Sequence, residues 1–503
     1  MLSISPPIAA AQGGYFGSLA REDYYTEGGE PPGRWIGCGL SALGLSGEVD
    51  KLVFQHLLLG YSPDGRSALV QNAGDPNRQA AWDLTFSAPK TLSALWSQAD
   101  FETQRLIQEL HALAVMKTLS YLEDVAAFTR RGHAGQIVER AQWIAAMFEH
   151  GTSRAQDPQL HTHVVLLNLA VRPDGTTGTV VSREFFRHKM AAGGLYRAEL
   201  AKLLQERLGL GIGRVKTWFE VEGVSPALVT EFSKRRQQIE TLLDQRGQEG
   251  AIAAKEAALR TRRAKEHLPR ELLFRQWCDA GRSMNWSTTQ VDALLNAGKG
   301  RMREAASPEV LTAEALATIT NHQSFFPVRD LVRRLAEASQ GRGLGAMGVR
   351  LAADEALSAP QIVPLGRVKG ESQFTTREML QLEHELLTIA DETQHDRSHI
   401  LPEPDLSRFE NLSEEQQTAV RHITATEGAV QVVSGLAGTG KSSLLQAARI
   451  LWQEADFAVW GTALTGKAAR GLEASAYSKR HHRQASLLPR RRSLPFSRRP
   501  FAA

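Results

Sequence analysis

The chain has 503 residues, 42% hydrophobic and 23% charged, which fits a globular protein of three or four ordinary domains. No apolar stretch approaches the length of a membrane span, the start MLSISPPIAAAQGG lacks the basic flank of a signal peptide, and two cysteines, Cys38 and Cys278, make neither a disulfide framework nor a thiolate metal site; a reducing cytoplasm is expected. The net charge of +4 is uneven: Ala474 to Ala503 holds eight Lys/Arg and no Asp or Glu, leaving 51 basic against 55 acidic residues elsewhere, so any affinity for polyanions resides in local patches.

In chain order, the first feature is aromatic. Tyr15-Phe16 and Tyr24-Tyr25 precede the breaker Pro31-Pro32-Gly33. Such a cluster either packs over a sheet or offers a hydroxyl as a nucleophile. Trp82 to Ser87 alternates as a half-buried strand, with Asp83, Thr85 and Ser87 on one face and Trp82, Leu84 and Phe86 on the other. Asp83 is there either solvated or placed to orient an imidazole or take a proton. A helix is expected over residues 101–128. Two strands follow, Trp143 to His150 and Pro158 to Leu167, joined by a turn-rich loop. His161 and His163 share one face of the second strand, about 6.6 Å apart along it. With His150 they suit a divalent metal, unless the strand pair simply faces solvent and His150 is unrelated. A further helix is expected from Leu195 to Leu208, stopping at Gly209. Strands with helices set among them predict an α+β sheet domain with one open face.

Residues 231–271 read as helical and basic, with Lys234-Arg235-Arg236 and Arg260-x-Arg262-Arg263 as clusters. These are a solvated face, or phosphate contacts if the domain handles DNA. A mostly helical connector is expected next, with Ser307-Pro308 opening one helix, a capping box at Thr375 to Glu378 opening another through Ala390, and a linker over 391–404. Then comes a capped helix start at Ser413 and a buried strand, Ala429 to Ser434, feeding Gly435-Leu436-Ala437-Gly438-Thr439-Gly440-Lys441-Ser442-Ser443. This is a Walker A pattern: backbone N–H groups from Gly435, Gly438 and Gly440 cradle phosphates, Lys441 reaches the terminal ones, and Ser442 ligates magnesium. A second strand is expected at Phe457 to Trp460. Beyond Glu473 periodic apolar patterning ends, and the tail reads as the product of a frameshift or truncation, expected to be disordered.

Phe148-Glu149-His150-Gly151-Thr152-Ser153-Arg154 and Asp157-Pro158-Gln159-Leu160-His161-Thr162-His163 together resemble the metal-binding signature of conjugative relaxases of the TrwC/TraI (MobF) kind, in the HUH endonuclease clan. Residues 1–300 carry the resemblance, and residues 406–473 are similar to the start of a superfamily 1, RecD-like helicase. The resemblance implies an HUH-type antiparallel sheet with helices, a helical connector over 301–405, an incomplete α/β P-loop (RecA-like) domain and a basic tail over 474–503. It implies site- and strand-specific nicking of a plasmid transfer origin, with a tyrosine attacking the phosphodiester to form a 5′-phosphotyrosine. Tyr15 matches the first nucleophile and Tyr24 the second, with Tyr25 an alternative; Phe16, lacking a hydroxyl, departs from the family. Asp83 resembles the family carboxylate beside the nucleophile. The implied cofactors are a divalent ion (Mg, Mn, Zn or Ni) and ATP that is not productively hydrolysed. The implied partners are single-stranded and origin DNA, relaxosome accessory proteins and coupling proteins, with Lys234, Arg235, Arg262 and Arg263 as candidate DNA contacts. Two competing readings are a DNA-dependent ATPase fragment resting on Lys441 and a non-catalytic DNA-binding remnant.

Overall fold

A computed structural model describes residues 1–10, 31–153, 155–247, 268–298, 305–436 and 438–461, with a few single positions besides. The chain divides into two compact units, Met1–Thr376 and Arg377–Ala503.

The first unit begins with β1 (Leu2–Ile4), β2 (Ile8–Ala9), β3 (Arg34–Ile36), α1 (Lys51–Leu59), β4 (Gln79–Ser87), α2 (Lys90–Gln98) and α3 (Phe101–Ala126). The hairpin β5–β6 (Phe128–Arg131, Ile137–Arg140), β7 (Gln142–Thr152), β8 (Pro158–Val171), β9 (Thr177–Gly178) and α4 (Ser182–Leu208) follow. After a second hairpin, β10–β11 (Ile212–Val215, Trp218–Val221), come α5 (Pro226–Glu231), α6 (Lys234–Gln245), α7 (Arg270–Ser283) and α8 (Thr288–Gly298). The unit closes with α9 (Pro308–Thr320), β12 (Phe326–Pro327), α10 (Val328–Ser339), α11 (Ala346–Ser358), β13 (Ile362–Val368) and β14 (Glu371–Thr376).

Seven strands form an antiparallel sheet in the order β1-β4-β8-β7-β3, with β2 also on β4 and β9 on β8. The period of two divides its side chains cleanly. Trp82, Leu84, Phe86, Met147, Leu160, Val164 and Leu166 enter the large core that also takes in apolar side chains of α2, α3 and α4. Ala81, Ile144, Ala146, Phe148, Val165 and Leu167 point the other way, into a smaller core with Phe54 and Leu57 of α1. Two helices start where the sequence supplies a carboxylate cap: Asp50 accepts from Leu52 and Val53 at the head of α1, and Asp100 accepts from Thr103 at the head of the long α3.

Three expectations are revised. Helix α4 starts at Ser182, thirteen residues before the expected Leu195. Within its first half, a Cβ on Gly194 would lie 3.1 Å from Ala336 Cβ, so glycine here admits the close approach of α10. Residues 305–376, expected to belong to a separate helical connector, pack into the first unit: Leu331, Leu335 and Ala336 of α10 are fully buried in the main core, and β12, β14 and β13 make a small sheet. Within that sheet Thr375 is a strand residue whose hydroxyl donates to the Ser324 carbonyl, not a helix cap. Ser307, by contrast, caps α9 as expected.

The second unit contains α12 (Arg377–Glu392), α13 (Glu414–Ala425) and α14 (Lys441–Glu454). Helix α13 opens with a full capping box between Ser413 and Gln416. Its core is Leu412, Val420, Ile423, Leu444, Ala448 and Trp452. The strands expected at 429–434 and 457–460 are absent. Among the described residues no neighbour pairs with either, and a strand without a neighbour leaves its backbone groups to water. Val430 and Val432 are accordingly 52% and 77% exposed. Among the described residues no helix is long and apolar enough to cross a membrane.

Candidate metal centre

The alternation that buries Phe148, Val165 and Leu167 on the α1 side of the sheet carries three histidines out on the same face. His150 of β7 sits directly opposite His161 of β8, and Ser87 of β4 lies across from His161 on the other side. One rung along, His163 stands between Phe148 and Thr85. Directly paired antiparallel residues bring their side chains close, so two adjacent strands supply the three-histidine cluster without any loop contribution. The imidazole centroids are 5.0 to 5.1 Å apart in all three pairs. Each ring offers one nitrogen, and these lie within 4.8 Å of one another. His150 is buried, while His161 and His163 are partly exposed.

Hydrogen bonds fix two of the rings. His161 Nδ1 donates to the Gln159 carbonyl at 2.8 Å. His163 Nδ1 lies 2.8 Å from Asp83 Oδ2, and the carboxylate accepts. Both bonds set the tautomer that leaves Nε2 with the lone pair, the arrangement found around ligating imidazoles. Thr85 Oγ1 is 3.3 Å from Asp83 Oδ1 and 3.4 Å from His163 Nδ1, so it braces the same pair. Three converging imidazoles, two of them oriented by these bonds, form a donor set that fits a divalent ion of borderline softness.

The backbone also matters at the turn out of β7. Gly151 sits in an irregular stretch between His150 and Thr152, where a Cβ would lie 2.6 Å from Trp96 Cη2. Trp96 is itself locked against Phe274 and Trp277 of α7, so only glycine lets β7 carry His150 over it.

A second charged cluster, not read from sequence, lies at the head of β8. Asp157 is 2% exposed, and burial raises its carboxyl pKa against the pull of Lys90 and Lys234. Lys90 Nζ donates to the Pro158 carbonyl at 2.7 Å, and burial pushes its pKa down to about 8 despite Asp157. Lys234 Nζ is 3.9 Å from Asp157 Oδ1 and 3.3 Å from Glu231 Oε1. Lys234 and Arg235 open α6, and Lys234 there faces both carboxylates. Asp83, His150, His161 and His163 are thus brought together. Tyr15, Tyr24, Tyr25, Arg262 and Arg263 lie outside the described residues.

In the second unit, Gly438 and Gly440 adopt left-handed backbone, with φ of 84° and 78°, ahead of α14. Lys441 Nζ donates to the carbonyls of Gly435 and Leu436 at 2.7 Å each, and Gln416 Nε2 donates to the Thr439 carbonyl at 2.9 Å. Ser442 lies in the first turn of α14.

Comparison with known proteins matches this geometry. Residues 9–284 match the TrwC relaxase family, and residues 411–483 match an AAA domain. The multifunctional conjugation protein TraI of Escherichia coli is 28% identical over 462 residues, covering 87% of this chain and 25% of that protein. The probable conjugal transfer protein TraA of Sinorhizobium fredii is 32% identical over 182 residues, 34% of this chain and 16% of that one. The chain thus spans about a quarter of the length of the TraI relative. Among solved structures, the conjugative relaxase TrwC in complex with OriT DNA, in its metal-bound form, is 31% identical with a TM-score of 0.51, covering 57% of this chain and 100% of that one. The metal-free form has a TM-score of 0.50 at 31% identity, with the same coverage. Over more than half of its length, the chain belongs to the TrwC relaxase family.

Proposed function

We propose that this chain is a conjugative relaxase that nicks one strand of transfer-origin DNA by tyrosine transesterification. The observation that carries the reading is the convergence of His150, His161 and His163, with His163 oriented by Asp83. The metal-bound, OriT-bound TrwC relative supports it. A divalent ion held by the three imidazoles would act as a Lewis acid, drawing charge from the non-bridging oxygens of the scissile phosphate. Imidazole donors favour Zn or Ni over Mg or Mn, which prefer oxygen.

Tyr15 is the proposed first nucleophile, with Tyr24 or Tyr25 serving the second transfer. Its Oη forms a bond to phosphorus while the bond to O3′ breaks, leaving a 5′-phosphotyrosine and a 3′-hydroxyl. A phenol with an ordinary pKa near about 10 is protonated at neutral pH and must lose its proton on attack. Asp83 already accepts from His163 and from Thr85, so its proposed role is to orient the ligand rather than to receive that proton. Arg235, Arg262 and Arg263 are proposed phosphate contacts. Lys234 joins them only if phosphate displaces a carboxylate partner. The proposed partners are single-stranded and origin DNA with relaxosome and coupling proteins, in the cytoplasm.

Incubation with a supercoiled plasmid carrying the cognate origin tests the reading. Expected are a nicked circle and a protein–DNA adduct, both lost with EDTA and in His161→Ala, with the adduct lost when Tyr15, Tyr24 and Tyr25 are all changed to Phe. An adduct that survives the triple change would defeat the nucleophile assignment. For the second unit we propose nucleotide binding through Gly435, Gly438, Gly440, Lys441 and Ser442 without productive hydrolysis. The lysine is held by loop carbonyls and no strand backs the loop among the described residues. Lys441-dependent ATP turnover stimulated by single-stranded DNA would overturn this.

A further inference from the structure

Behind the histidines, on the opposite face of the sheet, lies a buried polar chain that neither the nicking chemistry nor general core packing requires. Thr162 falls between His161 and His163 on β8 and therefore points away from them, into the large core. Its hydroxyl is 2.9 Å from His111 Nε2 of α3. The other nitrogen of that ring, Nδ1, is 2.9 Å from Tyr196 Oη of α4. All three side chains are essentially inaccessible: Thr162 and Tyr196 are 0% exposed and His111 is 2% exposed.

The direction of the chain follows from chemistry. Burial raises the Tyr196 phenol well above its ordinary pKa, so it stays protonated and donates to Nδ1. Burial also holds His111 neutral. A neutral ring that accepts at Nδ1 carries its proton on Nε2, which therefore donates to Thr162 Oγ1. Both rings are further held edge to face, with Tyr196 against His111 at 5.7 Å and against Phe86 of β4 at 5.4 Å. Three buried polar groups cost free energy that Val, Phe and Phe of similar shape would avoid. What the polar version adds is direction. Apolar contacts tolerate sliding of a strand beneath two helices, whereas a hydrogen bond to one hydroxyl holds one residue at one height.

We propose that Thr162, His111 and Tyr196 are positioning residues for the three-histidine site. They tie β8, at the residue between its two histidines, to the helices α3 and α4 of the opposite layer, so that the spacing of His161 and His163 relative to His150 is set from behind. The proposal rests on the reading of the histidines as a metal site.

Co(II) titration of the full chain, followed by its visible absorption, separates the possibilities. Thr162→Val removes the hydroxyl at constant shape and is expected to weaken Co(II) binding by about 10–100-fold, the range for groups that support ligands from behind. Tyr196→Phe is expected to weaken it in the same direction, and Thr162→Ser, which keeps the hydroxyl, to bind as the wild type. Thermal melts run in parallel, and the titration is done well below every melting temperature, where a purely structural role would leave affinity unmoved. A folded Thr162→Val that binds Co(II) as tightly as the wild type overturns the positioning role alone. A wild type that binds no Co(II), like His161→Ala, overturns the metal reading and this inference with it.

Discussion

His163 illustrates what one residue is asked to do in this fold. It takes its orientation from a carboxylate on the neighbouring strand and offers its other nitrogen outward. The alternation of β8 makes its facing legible from sequence, and so does that of Asp83 on β4. Thr85 was placed on that same face, but its contact with both partners depends on the pairing of β4 with β8, which no local pattern encodes. Asp157 and Lys90 were missed for the same reason, since they lie 67 positions apart in the chain. A buried and a half-buried histidine elsewhere are expected to make the protein sensitive to acid. His111 is pushed down to about 3, by burial first and then by the N-terminal ammonium and His161. His188 is pushed down to about 4, by burial and then by Arg329 and Arg187. Below a pH of about 6.5 the unfolded chain therefore takes up protons that the folded chain refuses, and stability falls as pH drops, by up to about 1.4 kcal/mol per pH unit for each group. The loss from each group levels off once its folded-state pKa is passed. Urea unfolding at stepwise lower pH should show this slope, reduced in His188→Phe; a stability flat between about pH 6.5 and 4.5 would contradict it.

At the scale of elements, the strands with neighbours were legible and those without were not. Trp143 to His150 and Pro158 to Leu167 have an apolar and a functional face, and both appear as β7 and β8 with longer ends. Ala429 to Ser434 has equal β-propensity but among the described residues nothing to pair with, so propensity alone did not produce a strand. The start of α4 was hidden for the converse reason, because tertiary burial of Ala191, Ala192 and Leu195 outweighs the poor propensity of two glycines. Gly151 is the element-scale weak point of the site. Gly151→Ala places a methyl against the Trp96 ring and is expected to cost about 1–3 kcal/mol. Thermal unfolding reads that cost, and Trp96→Phe should recover part of it in the double variant. A fully additive double variant would show that the two do not clash.

For the whole molecule, the working boundary is Thr376 rather than residue 300. α10 buries Leu331 and Leu335 completely, and Glu199 of α4 accepts from the Ala346 amide at the head of α11 at 2.6 Å while holding Lys117 at the same distance. Gln205 and Gln340 add side-chain bonds to the Gly341 and Thr217 carbonyls. A fragment ending near residue 300 would lose all of these partners. Limited proteolysis followed by mass spectrometry is expected to yield a persistent fragment ending near residue 376. A dominant fragment ending near residue 300 would place the boundary where composition alone suggested it.

The central position of β8 has a consequence for how this gene can change. Every residue of the strand serves one of two masters in strict alternation, His161 and His163 on one side and Leu160, Thr162 and Val164 on the other. A point substitution therefore damages one side only. A single-codon insertion or deletion between His163 and Asn168 exchanges the sides, burying imidazoles where leucines belong and presenting aliphatics on the histidine face. Length in this strand should be far less variable among functional descendants than composition, and a codon-deletion library scored for nicking would find its deepest intolerance there.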